Sequence, residues 1–77
     1  MNAPDRVRVE RDAGGDWYWS RSDGNNGEKL STSSESYESR SWAIRQAFEL
    51  NADIDVVEVL DPDGLLDVIS RSEREAR

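Results

Sequence analysis

The chain has no cysteine and no histidine, one lysine (Lys29), one phenylalanine (Phe48) and one methionine (Met1). Those absences remove disulfides, thiol nucleophiles, the usual zinc ligands and the one side chain that titrates near neutrality. Most compact catalytic constellations go with them, and neither a cofactor nor a metal is expected. No apolar run is long enough to cross a bilayer, so no membrane partner is expected. The opening Met1-Asn2-Ala3-Pro4-Asp5 has neither the basic start nor the apolar core of a secretory signal, and a cytoplasmic location is expected.

What is present is charge. Seventeen carboxylates against ten cationic residues give a net charge of -7 in 77 residues. A chain this short makes one domain with a modest core, for which association with a second copy is a common source of stability. The acidic balance disfavours nucleic acid, whose phosphates are bound by clustered Lys and Arg, so a protein partner is the stronger expectation. A carboxylate-rich, lysine-poor surface fits a halophile's cytosol, where salt screens the self-repulsion; a GC-rich genome favouring Arg over Lys would also leave few lysines.

Residues 1–5 carry a proline and no pattern, and read as a flexible N-terminus. From Arg6, Val7 and Val9 alternate with Arg6, Arg8 and Glu10, the period of a half-buried strand. Gly14-Gly15 breaks it with residues that tolerate the positive φ of a hairpin connection. Asp16 to Ser22 follows as a second strand, with Trp17, Trp19 and Arg21 on one face and Tyr18, Ser20 and Ser22 on the other. The turn Asp23-Gly24-Asn25-Asn26-Gly27 returns the chain through a weak third strand, Glu28 to Thr32, with Leu30 expected inward.

Ser33 to Ser39 reads as a loop ending at a helix, Ser39 being the best N-cap. The helix spans about Arg40 to Leu50. Ala43, Ala47 and Leu50 share a stripe with Ile44 and Phe48 beside it, and Trp42 lies outside that stripe near the polar edge. Asn51 is a plausible left-handed cap. Ile54 to Leu60 is a β-branched strand, and residues 61–77 hold a Pro-Asp-Gly turn, a short edge strand or helical turn at Leu65 to Ile69 (strand favoured by Val68-Ile69), and a charged, frayed tail.

One local series adds to this: aromatic-x-aromatic in strand two, Asn26-Gly27-Glu28 in the turn, Ser33, Glu35 and Tyr37 before the helix, then Ser39-Arg40 and Ala43. With the order of elements from Val7 to Val59, it resembles the YegP-like family of small uncharacterised bacterial and archaeal proteins. The resemblance implies an α+β domain at 6–60, three antiparallel strands, a helix and a fourth strand (β-β-β-α-β), which as a single repeat pairs into a homodimer with exchanged C-terminal strands. Val57 and Val59 would then lie against the partner's sheet. It implies no biochemical activity. Arg21 stands where the family usually has an apolar residue, Trp42 where small or polar residues are usual, and one extra residue sits between Ser33 and Tyr37.

Few residues suggest chemistry. Trp17 and Trp19 read as core beneath the helix rather than as a stacking platform. Tyr18 with Arg8, on the opposite face, makes either a cationic aromatic patch or ordinary solvated sheet surface. Trp42 beside Arg45 reads as an interface anchor or as a lid over the preceding loop. Asp61, Asp63 and Asp67 lack the ligand spacing of a calcium loop, and the serines of Ser31 to Ser36 have no base to activate them. The candidate interaction surface is therefore Trp42, Tyr18, Arg8 and Arg45, with no catalytic residue assigned. A non-enzymatic, homodimeric interaction module is the expectation; the alternatives are a small enzyme using carboxylate, Tyr or Arg chemistry and a structural subunit of a larger assembly.

Overall fold

In the computed structural model, which describes residues 3–72, five strands form one mixed sheet with a single helix against one face. The elements are β1 (Arg6–Arg11), β2 (Trp17–Ser22), β3 (Lys29–Thr32), α1 (Arg40–Leu50), β4 (Val56–Leu60) and β5 (Leu66–Ser70), and the spatial order is β3-β2-β1-β4-β5. β1 and β4 are parallel; the other neighbours are antiparallel. Among the described residues no helix is long and apolar enough to cross a membrane.

Period-two alternation sorts the strands into two faces. Val7, Val9, Trp17, Trp19, Val57 and Val59 turn toward the helix, where Ala43, Ile44, Ala47 and Phe48 meet them to make the core with Tyr37 and Ile54. Two tryptophans supply the area that one three-turn helix needs as a counterpart. The helix starts where Ser39 stops it from extending backward: Ser39 Oγ accepts from Trp42 N at 3.1 Å. Just before it, Tyr37 and Trp17 exchange two backbone hydrogen bonds of 2.7 Å, which pins the loop to the sheet and makes Tyr37 a buried lock on the helix entry.

Several expectations are corrected here. Leu30 points out, being 52% exposed, because β3 is a four-residue edge strand displaced by a register shift at Arg21/Ser22. Leu50 is 62% exposed: the helix stops there and the sheet beneath it is already covered by Phe48. Asn51 is not left-handed (φ -128°); it caps with its side chain, Nδ2 donating to Ala47 O at 2.8 Å. At the N-terminus, Asp5 is ion-paired to Arg21 at 2.9 Å and Ala3 N donates to Asn25 Oδ1 at 3.0 Å, so these residues are tied to the sheet. Gly24 lies under Pro4, whose carbonyl oxygen leaves no room for an added Cβ.

After the helix the chain returns to the sheet. The segment Asn51 to Asp55, turned by Ile54 N donating to Asn51 O at 3.0 Å, suffices to fold β4 back beside its own β1. Val57 and Val59 are fully buried in their own chain's core. β4 is an interior strand, because residues 61–70 form a turn and a regular edge strand, β5, that covers it. Arg71, expected in the frayed tail, instead reaches back beneath the helix end: its guanidinium donates to the carbonyls of Phe48, Asn51 and Ile54 at 2.7–3.1 Å and stacks 4.9 Å from the Phe48 ring centroid. A cation there adds donors where the last carbonyls of a helix lack intrahelical partners and meets the negative end of its dipole. The fraying expected of residues 73–77 lies outside the described residues.

Candidate functional site

The sheet face away from the helix is open, and the registers fix what it displays. Across β3, β2, β1, β4 and β5, one row reads Lys29, Ser22, Arg6, Val56, Ser70; the next Thr32, Ser20, Arg8, Glu58, Val68; beyond them lie Tyr18, Glu10, Leu60 and Leu66. This face is divided. Its β4–β5 side is apolar and exposed, while its β1–β3 side is polar and hollowed.

The hollow follows from side-chain length. Ser20 and Ser22 on β2 are short, and their neighbours Lys29 on β3 and Arg6 and Arg8 on β1 are long, so the serines floor a depression of about 330 Å3 whose lining also includes Glu10, Asp23 and Glu58. The Asp23–Gly27 turn closes one end. That turn is stiffened from within: Asp23 Oδ1 accepts from the amides of Asn25 (2.7 Å) and Asn26 (3.3 Å), and Gly27 takes the positive φ of 73°.

Glu58, also in the lining, receives both guanidinium groups, Arg6 at 2.8 Å and Arg8 at 3.0 Å. Burial pushes the Glu58 carboxyl up, but the hydrogen bonds from Arg6 and Arg8 outweigh it and hold the group below its ordinary range. Tyr18 moves the other way: burial, then the charge of Glu10 and a hydrogen bond to it, raise the phenol further from neutrality. Both shifts move the groups away from neutrality, Glu58 downward and Tyr18 upward. Tyr18 and Arg8 do share the open face as expected, one row apart.

Trp42 and Arg45 lie elsewhere, on the outer side of α1. Arg45 Cζ sits 5.3 Å from the Trp42 ring centroid and its Nε pairs with Glu49 at 3.2 Å. Trp42 is 47% exposed and borders a groove of about 390 Å3 with Glu35, Ser36, Tyr37, Glu38 and Ser39. The four candidate residues are thus two separate pairs on opposite sides of the molecule. Asp61 and Asp67 serve Arg40, at 3.0 and 2.9 Å, and among the described residues no group of three or more carboxylates is placed to hold a metal ion. Lys29, Ser20 and Ser22 were not singled out by sequence reasoning; alternation along β2 puts both serines on the face of Tyr18, whereas Lys29 joins them through the β2–β3 register, which shifts beside it.

The chain matches no known family model, no curated protein and no solved structure.

Proposed function

We propose that this protein is a non-enzymatic interaction module that works as a homodimer, joined along the free edge of β5. The observation that carries the reading is the difference between its two sheet edges. β3 is short, carries the chain's only lysine and is bent by the register shift, all features that discourage strand addition. β5 has none of them. Its five residues pair regularly with β4, and it offers Leu66 and Val68, 47% and 61% exposed, with no proline, lysine or bulge.

Hydrogen bonds at the two ends of the β4–β5 ladder, Asp61 N to Leu65 O and Arg71 N to Asp55 O, set its alternation. The amides and carbonyls of Leu66 and Val68 therefore face away from β4. A second copy added antiparallel about a two-fold axis at Val68 would use them, placing each Val68 opposite its own copy and extending the apolar strip of Leu60, Leu66 and Val68 across a ten-stranded sheet. The resemblance to the YegP-like family implies a different dimer, by exchange of β4, in which the Val7–Val57 ladder runs between chains.

Because the chain has no cysteine, Val68→Cys gives a clean test. Hydrogen-bonded antiparallel partners lie about 5.5 Å apart at Cα, a spacing a disulfide accepts. Sedimentation should show a dimer at micromolar concentration, and mild oxidation of the variant should link it covalently. A monomer would overturn the assembly; a dimer that resists cross-linking would move the interface to β4.

A further inference from the structure

We propose that the serine-floored depression on the open face is a binding site for a phosphate-class oxyanion, either the free anion or a small phosphomonoester. Three observations carry it. First, cations stand on both sides of it: Lys29 on β3 faces Arg6 and Arg8 on β1, two strand spacings or about 10 Å away, a gap that a tetrahedral oxyanion fills between inclined side chains. Second, the floor carries hydroxyls: the buried Ser20 and the half-buried Ser22 both line the depression. Third, Lys29 forms no ion pair among the described residues, although carboxylates outnumber cations 17 to 10 along the chain.

The carboxylates near the depression are otherwise engaged. Three of them line it beside the three cations: Glu58 is ion-paired to both arginines, Asp23 accepts the amides of its own turn, and Glu10 is hydrogen-bonded to Tyr18. Glu58 holds Arg8 through Nε and Nη2 and Arg6 through Nη2, which leaves donors on both guanidinium groups for a second acceptor. Cations on two walls and hydroxyls on the floor approach from several directions. Tetrahedral oxygens meet them better than the two coplanar oxygens of a carboxylate. The ligand is small because the hollow is closed at the Asp23–Gly27 turn and the rest of this strongly acidic molecule repels a polyanion.

Amide NMR titration of the full chain tests this with inorganic phosphate, glycerol phosphate and a thymidine oligonucleotide, each against sodium chloride at matched ionic strength. Phosphate should produce saturable shifts at Ser20, Ser22, Lys29 and Arg8, weakened roughly tenfold in Lys29→Ala and in Arg8→Ala and unchanged in Trp42→Ala. Tighter binding of glycerol phosphate would identify the ligand as an ester, and equal binding as the free anion. Shifts reproduced by chloride, or indifferent to Lys29→Ala in a variant whose spectrum remains folded, would overturn the site. An oligonucleotide that outcompetes phosphate would overturn it in favour of a nucleic-acid surface. Association along β5 is read separately by sedimentation, so either proposal can fail alone.

Discussion

The two faces of the sheet are built from alternate residues of the same strands and obey opposite rules. Toward the helix, Val7, Val9, Trp17, Trp19, Val57 and Val59 are buried and apolar; away from it, Arg6, Arg8, Glu10, Tyr18, Ser20, Ser22 and Glu58 are polar, and several are linked by ion pairs. The contrast shows that stability and recognition can be encoded at single-residue spacing, and that a one-residue slip of any strand would exchange them.

The comparison breaks most directly at neighbouring aromatics. Trp19→Ala should cost roughly 3–5 kcal/mol, a core truncation, whereas Tyr18→Ala should cost about 1 kcal/mol or less. Chemical denaturation of both variants checks this, and similar losses would mean that the open face is covered by something. Trp19 Nε1 is buried without a hydrogen-bond partner among the described residues, so Trp19→Phe should lose less than the removed volume implies, relieving an unsatisfied donor worth roughly 1–3 kcal/mol.

The covered face has a second support at its end. Arg71→Met keeps much of the stem over Phe48 but removes the guanidinium donors to the carbonyls of Phe48, Asn51 and Ile54, and is expected to cost roughly 1–3 kcal/mol. Hydrogen exchange would localise the loss to the last turn of α1. Uniform protection across that turn in the variant would show that Arg71 is not its cap.

On the open face the effects are smaller and depend on pH. Glu58 ionises more easily folded than unfolded, so its contribution is present above its unfolded pKa and disappears as pH falls through the lower folded value. Glu58→Gln should therefore cost no more than about 1 kcal/mol at neutral pH and nothing in strong acid, where the wild-type carboxyl is itself protonated. A pH-independent difference between the two proteins would refute the ion-pair account.

The smallest effect lies at the sheet's margin. Hydrogen bonds from Arg21 hold the exposed Asp53 carboxyl at about 2 against an ordinary 3.8, and the Asp53 Oδ2 to Arg21 Nη2 distance is 2.6 Å. Carbon NMR titration should find that low value and its return toward 3.8 in Arg21→Gln. The associated stability is present above pH 3.8 and is lost as pH falls through about 2.

Most of the covered face was legible in the sequence, because alternation in Val7–Val9 and Trp17–Trp19 and the Ser39 cap are local signals. The parallel β1–β4 pairing was not, since nothing within Ile54 to Leu60 states which strand it will join. The partners of Arg21 and Arg71 escaped notice for a related reason: an arginine looks the same in sequence whether it is solvated or bound to distant carbonyls and carboxylates. The candidate site was half visible. Tyr18 and Arg8 could be placed on one face, but the hollow depends on Ser20 and Ser22 being shorter than their neighbours across the strands, which becomes a shape only once β3 and β1 flank them.

The parallel pairing also sets a timetable for assembly. β1 and β2 are joined by a few residues and can zip as a hairpin within microseconds, while Arg8 and Glu58 are 50 residues apart and must await a much slower closure. Throughout that interval the far edge of β1 is unpaired. Any β4 that reaches it can complete the ladder, whether it comes from the same chain or from another, and the local abundance of each decides the winner. Dilute refolding should therefore favour the self-closed chain and concentrated refolding the exchanged one, with interconversion afterwards limited by the need to pull Val57 and Val59 back out of a finished core.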